Sequence, residues 1–155
     1  MKETYLISAC LFGELCRYDG EIARNDKLVD ALIAAGCKLI PVCPEVLGGL
    51  KTPRPAAQIK EGNGHDVLLG EAVILDAAGA NITDKFVAGA KKVLQIAQDN
   101  GIRYAILNER SPSCGVKHIY NGQRIVSGMG VTTALLLENG IKVESDEEFM
   151  LDNLR

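Results

Sequence analysis

Nowhere in these 155 residues do eighteen apolar residues follow one another, so no transmembrane helix and no membrane partner are expected. No leader-like segment opens the chain: Met1-Lys2-Glu3-Thr4 runs straight into a strand-like stretch, and a cytoplasmic location is expected. Basic residues form no block, and 17 Lys and Arg against 20 Asp and Glu leave a net charge of -3. That balance argues against binding a nucleic-acid backbone, though not against a small nucleobase ligand. With two histidines and no serine–histidine–acid spacing, serine hydrolase chemistry has little support. No Gly-x-Gly-x-x-Gly fingerprint, Walker motif or Cys-x-x-Cys pair occurs. Cysteines number five, and an odd count in a reducing compartment makes a disulfide framework a poor reading. Metal ligation, catalysis and packing remain for the thiols.

What is present is a chain that is 47% apolar, enough for one compact domain over residues 1–155 with a genuine core. Thr4 to Ala9 reads as a first strand, central and buried if Leu6 and Ile7 are both covered. A helix is expected from about Ala23 to Ala35, with Leu28, Leu32 and Ala35 as its apolar stripe and Gly36 as its stop. Cys37 to Val42 reads as a second strand, which Pro41 weakens as a fully paired central one. The stretch from Cys43 to Pro55, rich in proline and glycine, reads as a long irregular loop. Two apolar runs around Gly70-Glu71, from Asp66 to Asp76, suggest a small hairpin. Thr83 is expected to cap a helix ending near Asn100-Gly101. Arg103 to Asn108 is the third core strand. A hairpin turning at Asn121-Gly122, a helix from Val131 to Glu138, a strand from Ile141 to Val143 and a final helix from Asp146 follow. Strands alternating with helices imply an α/β domain: a largely parallel central sheet with helices on both faces, Rossmann-like and three-layered.

This outline sorts the cysteines. Cys10 follows strand one, Cys43 follows strand two, and Cys114 lies a few residues beyond strand three. Ligands of open parallel sheets bind where loops from neighbouring strands converge, at the strands' carboxyl ends. Three thiols far apart in sequence can therefore meet. Cys37 starts strand two, roughly 20 Å from Cys43 at 3.3 Å per residue, and reads as a packing residue. Cys16 is left between a supporting or redox role and packing beneath its loop. Thiolates select zinc, copper(I) or iron–sulfur clusters. A zinc site completed by His118 is one possibility, although His118 falls on a strand leading away from the loop. A cluster on three thiolates with one metal position open is another.

Polar residues surround this meeting point. Glu45 is placed to give or take protons, or else to cap a helix or pair with a cation. Ser111 and Ser113 flank Pro112 and offer hydroxyls to a substrate or water, or serve the turn. Arg17 and Arg54 are cations for a polar ligand, or surface partners of Glu14 and Asp19. Tyr18 offers a ring for stacking on a planar ligand, or packs its loop.

Four stretches, "ISACLFGELCRYDG", "PVCPEVLGGLKTPRP", "NITDKFVAGAKKVL" and "ERSPSCGVKHIYNG", stand in this order along the chain. Together they resemble the thiouracil desulfidase (TudS) family, formerly domain of unknown function 523, from Leu6 to about Val143. The resemblance implies a 4Fe–4S cluster on Cys10, Cys43 and Cys114. It also implies Glu45 and a serine, Ser111 or Ser113, as polar residues assisting the chemistry; Ser8, Arg17 and Tyr18 are candidate substrate contacts. The implied reaction replaces the sulfur of a thiolated nucleobase, such as 2-thiouracil, by oxygen from water. A non-enzymatic iron–sulfur or redox-sensing protein, and a zinc-binding small-ligand domain, are the competing expectations.

Overall fold

The computed structural model describes residues 3–14, 18–19, 24–121 and 124–153. Strand β1 (Thr4–Ser8) explains the layering. Its Leu6 and Ile7 point to opposite faces and both are fully buried, so the strand is covered on each side. Strand β2 (Lys38–Val42) pairs with it in parallel on one side, with Ser8 opposite Val42. On the other side lies β5 (Tyr104–Leu107), and beyond it β8 (Lys142–Ser145). The order β2-β1-β5-β8 is parallel throughout. Pro41 therefore sits on an edge strand, where a missing N–H costs least.

Side-chain alternation divides the core. Leu6, Val42, Ala105 and Leu107 pack on one face against Val93 and Ala97 of α5 (Thr83–Asp99) and Leu136 of α6 (Val131–Glu138). Ile7 and Ile106 pack on the other against Leu28, Val29 and Leu32 of α2 (Asp26–Ala34) and Phe149 of α7 (Asp146–Asn153). Cys37 joins this second cluster as a half-buried packing residue before β2 begins. The fold is a mixed α/β one with helices on both faces of the parallel sheet.

Several elements differ from expectation. The stretch after Val42 is not wholly irregular: Pro44–Leu47 form a short helix, α3, with Pro44 in the first turn, where its missing N–H would find no partner anyway. No hairpin turns at Gly70-Glu71. Instead Asn63 Oδ1 accepts from His65 N and Asp66 N while Asp66 Oδ2 accepts from Asn63 N, a capping box that starts α4 (Gly64–Leu68). Strand β4 (Val73–Asp76) then pairs antiparallel with β3 (Ala57–Lys60), so its partner lies upstream of α4. Thr83 does not cap α5 with its hydroxyl, which accepts from Ile74 N (2.8 Å); Asn81 Oδ1 accepts from Thr83 N (3.1 Å). Helix α2 starts at Asp26 because Asn25 accepts from Leu28 N, and Val29 rather than the exposed Ala35 completes its buried stripe. Residue 23 lies outside the described residues. Strands β6 (His118–Asn121) and β7 (Arg124–Ser127) form the expected hairpin, with Asn121 paired to Arg124; residue 122 lies outside the described residues.

Candidate active site

Because β2, β1 and β5 are parallel neighbours, the chain leaves all three at the same edge of the sheet. Cys10 lies in the single turn α1 (Ala9–Phe12) directly after β1. Cys43 is the residue before α3, directly after β2. Cys114 sits on the turn that follows β5. All three line one cavity of about 610 Å³. Asn108, at the end of β5, donates from Nδ2 to Cys10 Sγ (3.4 Å). Burial pushes the Cys114 thiol well above the ordinary range, and the nearby Glu45, Cys10 and Cys43 push it further, against a hydrogen bond with Ser8. A cationic centre shared by the sulfurs reverses that balance, since a coordinated thiol gives up its proton. Among the described residues no three His, Cys, Asp or Glu side chains close around a point as the ligands of one ion do. The three thiols instead line a common cavity from three separate loops, a donor set of the kind that soft metals and iron–sulfur clusters take. His118 is exposed on β6 and does not line the cavity, so it completes no zinc site with the thiols.

The structure separates the two serines. Ser111 lines the cavity, and its Oγ accepts from Cys114 N (2.7 Å) and Ser113 N (3.1 Å). Ser113 is fully buried behind the turn, its Oγ bonded to Thr132 Oγ1 of α6 (2.8 Å). Ser8 is buried at the cavity wall, its Oγ accepting from Asn108 N (2.9 Å).

Glu45, in the first turn of α3, reaches Arg54. Arg54 Nε and Nη2 both donate to Glu45 Oε2, at 2.9 and 2.7 Å, and the two side chains are 7% (Arg54) and 15% (Glu45) exposed. Arg54 thus lines the cavity, held against Glu45 on the short helix that follows Cys43. Its Nη1 holds Lys51 O and Thr52 Oγ1, and its backbone N–H donates to Tyr18 O (2.7 Å). That last bond brings the exposed Tyr18 to the cavity rim. Cys16 and Arg17 lie outside the described residues.

Sequence reasoning missed Glu109. It lines the cavity, is 7% exposed, and accepts on Oε1 from Val116 N (2.7 Å), Lys117 N (3.1 Å), His118 N (3.1 Å) and Arg110 N (3.3 Å). Burial raises its carboxyl, but these four backbone hydrogen bonds prevail and hold it below the ordinary range. In the sequence it is one acidic residue beside a turn, with nothing to distinguish it from a solvated one. Gln58, Asn108 and Tyr120, also missed, complete part of the wall.

Comparisons with known proteins identify the family and the fold. The chain is 44% identical over 149 residues to the uncharacterized protein YbbK of Bacillus subtilis (strain 168), covering 92% of this chain and 95% of that one. A solved structure of a 4Fe–4S-dependent thiouracil desulfidase, TudS (DUF523Vcz), superposes with a TM-score of 0.83 at 40% identity, covering 99% of this chain and 95% of the other. A family model described as 2-thiouracil desulfurase matches residues 5–148. With nearly the whole fold inside that match, the chain belongs to the 2-thiouracil desulfurase family of enzymes.

Proposed function

We propose that this protein replaces the sulfur of a small thiolated nucleobase, 2-thiouracil or a close relative, with oxygen from water and releases hydrogensulfide. The observation that carries the reading is the set of three thiols, from three adjacent strand ends, in one cavity with a partly buried carboxylate–guanidinium pair. Cys10, Cys43 and Cys114 would hold a 4Fe–4S cluster. When bound, that cluster would supply a fourth iron that carries no protein ligand, a Lewis acid able to accept sulfur. Arg54 occupies one oxygen of Glu45, and Glu45 uses its carboxylate to move protons to and from the attacking water. Ser111 Oγ already accepts two amide protons, so its own O–H is left to donate to the ring or the water. Ser8 and Tyr18 contribute contacts from the wall and the rim, and Arg17 is kept as a further ligand contact.

The test is anaerobic reconstitution with iron and sulfide, followed by sulfide release from 2-thiouracil. Cys43→Ala is expected to abolish both brown absorbance and turnover. Glu45→Gln is expected to keep the absorbance and lose about a hundredfold or more in kcat, the scale of a general acid–base contribution. Full activity in Glu45→Gln would remove the proton-transfer role. Iron uptake with reversible oxidation and no sulfide release would favour a redox sensor.

A further inference from the structure

The three thiols are not held alike. Cys10 lies in α1, which continues directly from β1, and Cys43 is the single residue between β2 and α3, so both sit at a direct strand-to-helix junction. Cys114 lies on a turn outside any helix or strand. The segment from Glu109 to His118 must therefore be closed by other means, and Glu109 closes it. The four amides on its Oε1 come from both ends of the turn: Arg110 precedes Ser111–Cys114, and Val116, Lys117 and His118 follow. The same crossing is marked by Tyr120 N donating to Arg110 O (3.2 Å) and by a bridge between Arg110 and Ile119. Within the loop, Gly115 N donates to Ser111 O (2.9 Å), and a side chain at Gly115 would come within 2.4 Å of His118 O. Arg110 has φ +75°, a conformation costly for a residue with a side chain, and its guanidinium is clamped by both oxygens of Glu147 at 2.6 and 3.0 Å. A strained, tightly folded loop with an anion at its centre is what carries the third thiol.

We infer that Glu109 is the positioning residue for Cys114: its charge draws the two ends of the loop together and so sets the depth at which the Cys114 sulfur meets the cavity. This rests on the proposed role of Cys114 as a cluster ligand. A charge-assisted hydrogen bond is roughly twice as strong as a neutral one, so Glu109→Gln keeps the shape and an acceptor oxygen while weakening all four bonds together. Glu109→Ala removes them.

The experiment compares the full-length wild type, Glu109→Gln, Glu109→Ala and Glu71→Gln. Reconstituted protein is challenged with an iron chelator and its visible absorbance followed; apo protein is treated with iodoacetamide, and alkylation of Cys114 and Cys10 is resolved by peptide mass spectrometry. Amide exchange at residues 116–118 and thermal melts are recorded for all four. Glu109→Gln is expected to lose iron about 10–100-fold faster, the usual effect of removing a group that orients a metal ligand. It should also alkylate Cys114 about tenfold faster while leaving Cys10 unchanged, with lowered protection at residues 116–118, as local opening eases when charged hydrogen bonds become neutral. Glu109→Ala should exceed it, and Glu71→Gln, at an exposed carboxylate that does not line the cavity, should match the wild type in iron loss and alkylation. A lower melting temperature with unchanged iron retention and unchanged Cys114 alkylation would overturn the inference and leave Glu109 a purely structural residue. If the wild type takes up no iron, the cluster reading falls, and the alkylation and exchange results still decide what Glu109 does to Cys114.

Discussion

Ser113→Ala tests which of the two serines serves the site. Ser113 is fully buried, and its hydroxyl faces Thr132 Oγ1 at 2.8 Å instead of the cavity. Truncation leaves the Thr132 hydroxyl buried without that partner, a loss of about 1–3 kcal/mol. For a chain of this length each kcal/mol moves Tm by about 2–4 °C, so a fall of about 2–12 °C is expected. Thr132→Val should cost a similar amount by stranding the Ser113 hydroxyl. Removing both partners restores an apolar contact, so the double variant should be nearly as stable as the wild type. The coupling from this cycle equals the sum of the two single losses, about 2 kcal/mol or more, toward the upper end of the range for residues in direct contact. Urea unfolding of the apo chain, followed by circular dichroism, measures the cycle. Sulfide release per bound iron measures the chemistry, which should change less than about threefold, since Ser113 does not touch the cavity. A hundredfold loss in kcat with stability unchanged would refute the reasoning and return the chemical hydroxyl to Ser113.

Two further outcomes are expected. A side chain at Gly48 would lie 2.0 Å from Lys85 O, where α3 crosses α5, so Gly48→Ala should lower stability by about 1–3 kcal/mol or more in urea unfolding. Unchanged stability would mean that α3 can move off α5 freely. Asp146 is pushed up by burial and then by Glu147, with Oδ1 buried and without a hydrogen bond. Its folded form holds the proton more tightly than the unfolded chain does, so the ionised carboxylate opposes folding at neutral pH. Asp146→Asn should therefore raise Tm at pH 8, and the gap should close as pH falls through the raised pKa; no gap at pH 8 would contradict this.

The layered fold was legible because its signals are periodic and local. Leu6 and Ile7 demanded cover on two faces, Pro41 pointed away from the sheet centre, and Val131–Glu138 forms the helix expected there. The meeting of Cys10, Cys43 and Cys114 followed from strand ends alone. What stayed hidden depends on contacts that leave no periodic trace. Helix α3 is a single turn inside a proline- and glycine-rich stretch, and α4 begins on the reciprocal bonds of Asn63 and Asp66. Two serines two residues apart were indistinguishable until the turn sent one to the cavity and the other to Thr132. Glu109 was invisible because backbone amides, which every residue carries, are its partners. The pairing of Glu45 with Arg54 was one of several open to each.

The parallel order of β2, β1 and β5 also has a consequence in time. Cys10 and Cys114 are about a hundred residues apart in the chain, and nothing local brings them together. During synthesis the first two thiols emerge long before the third, and β5 must dock beside β1 before the cavity has its last wall. A nascent chain therefore presents two of the three cavity thiols and no receptacle. The receptacle is therefore complete only once β5 has docked beside β1.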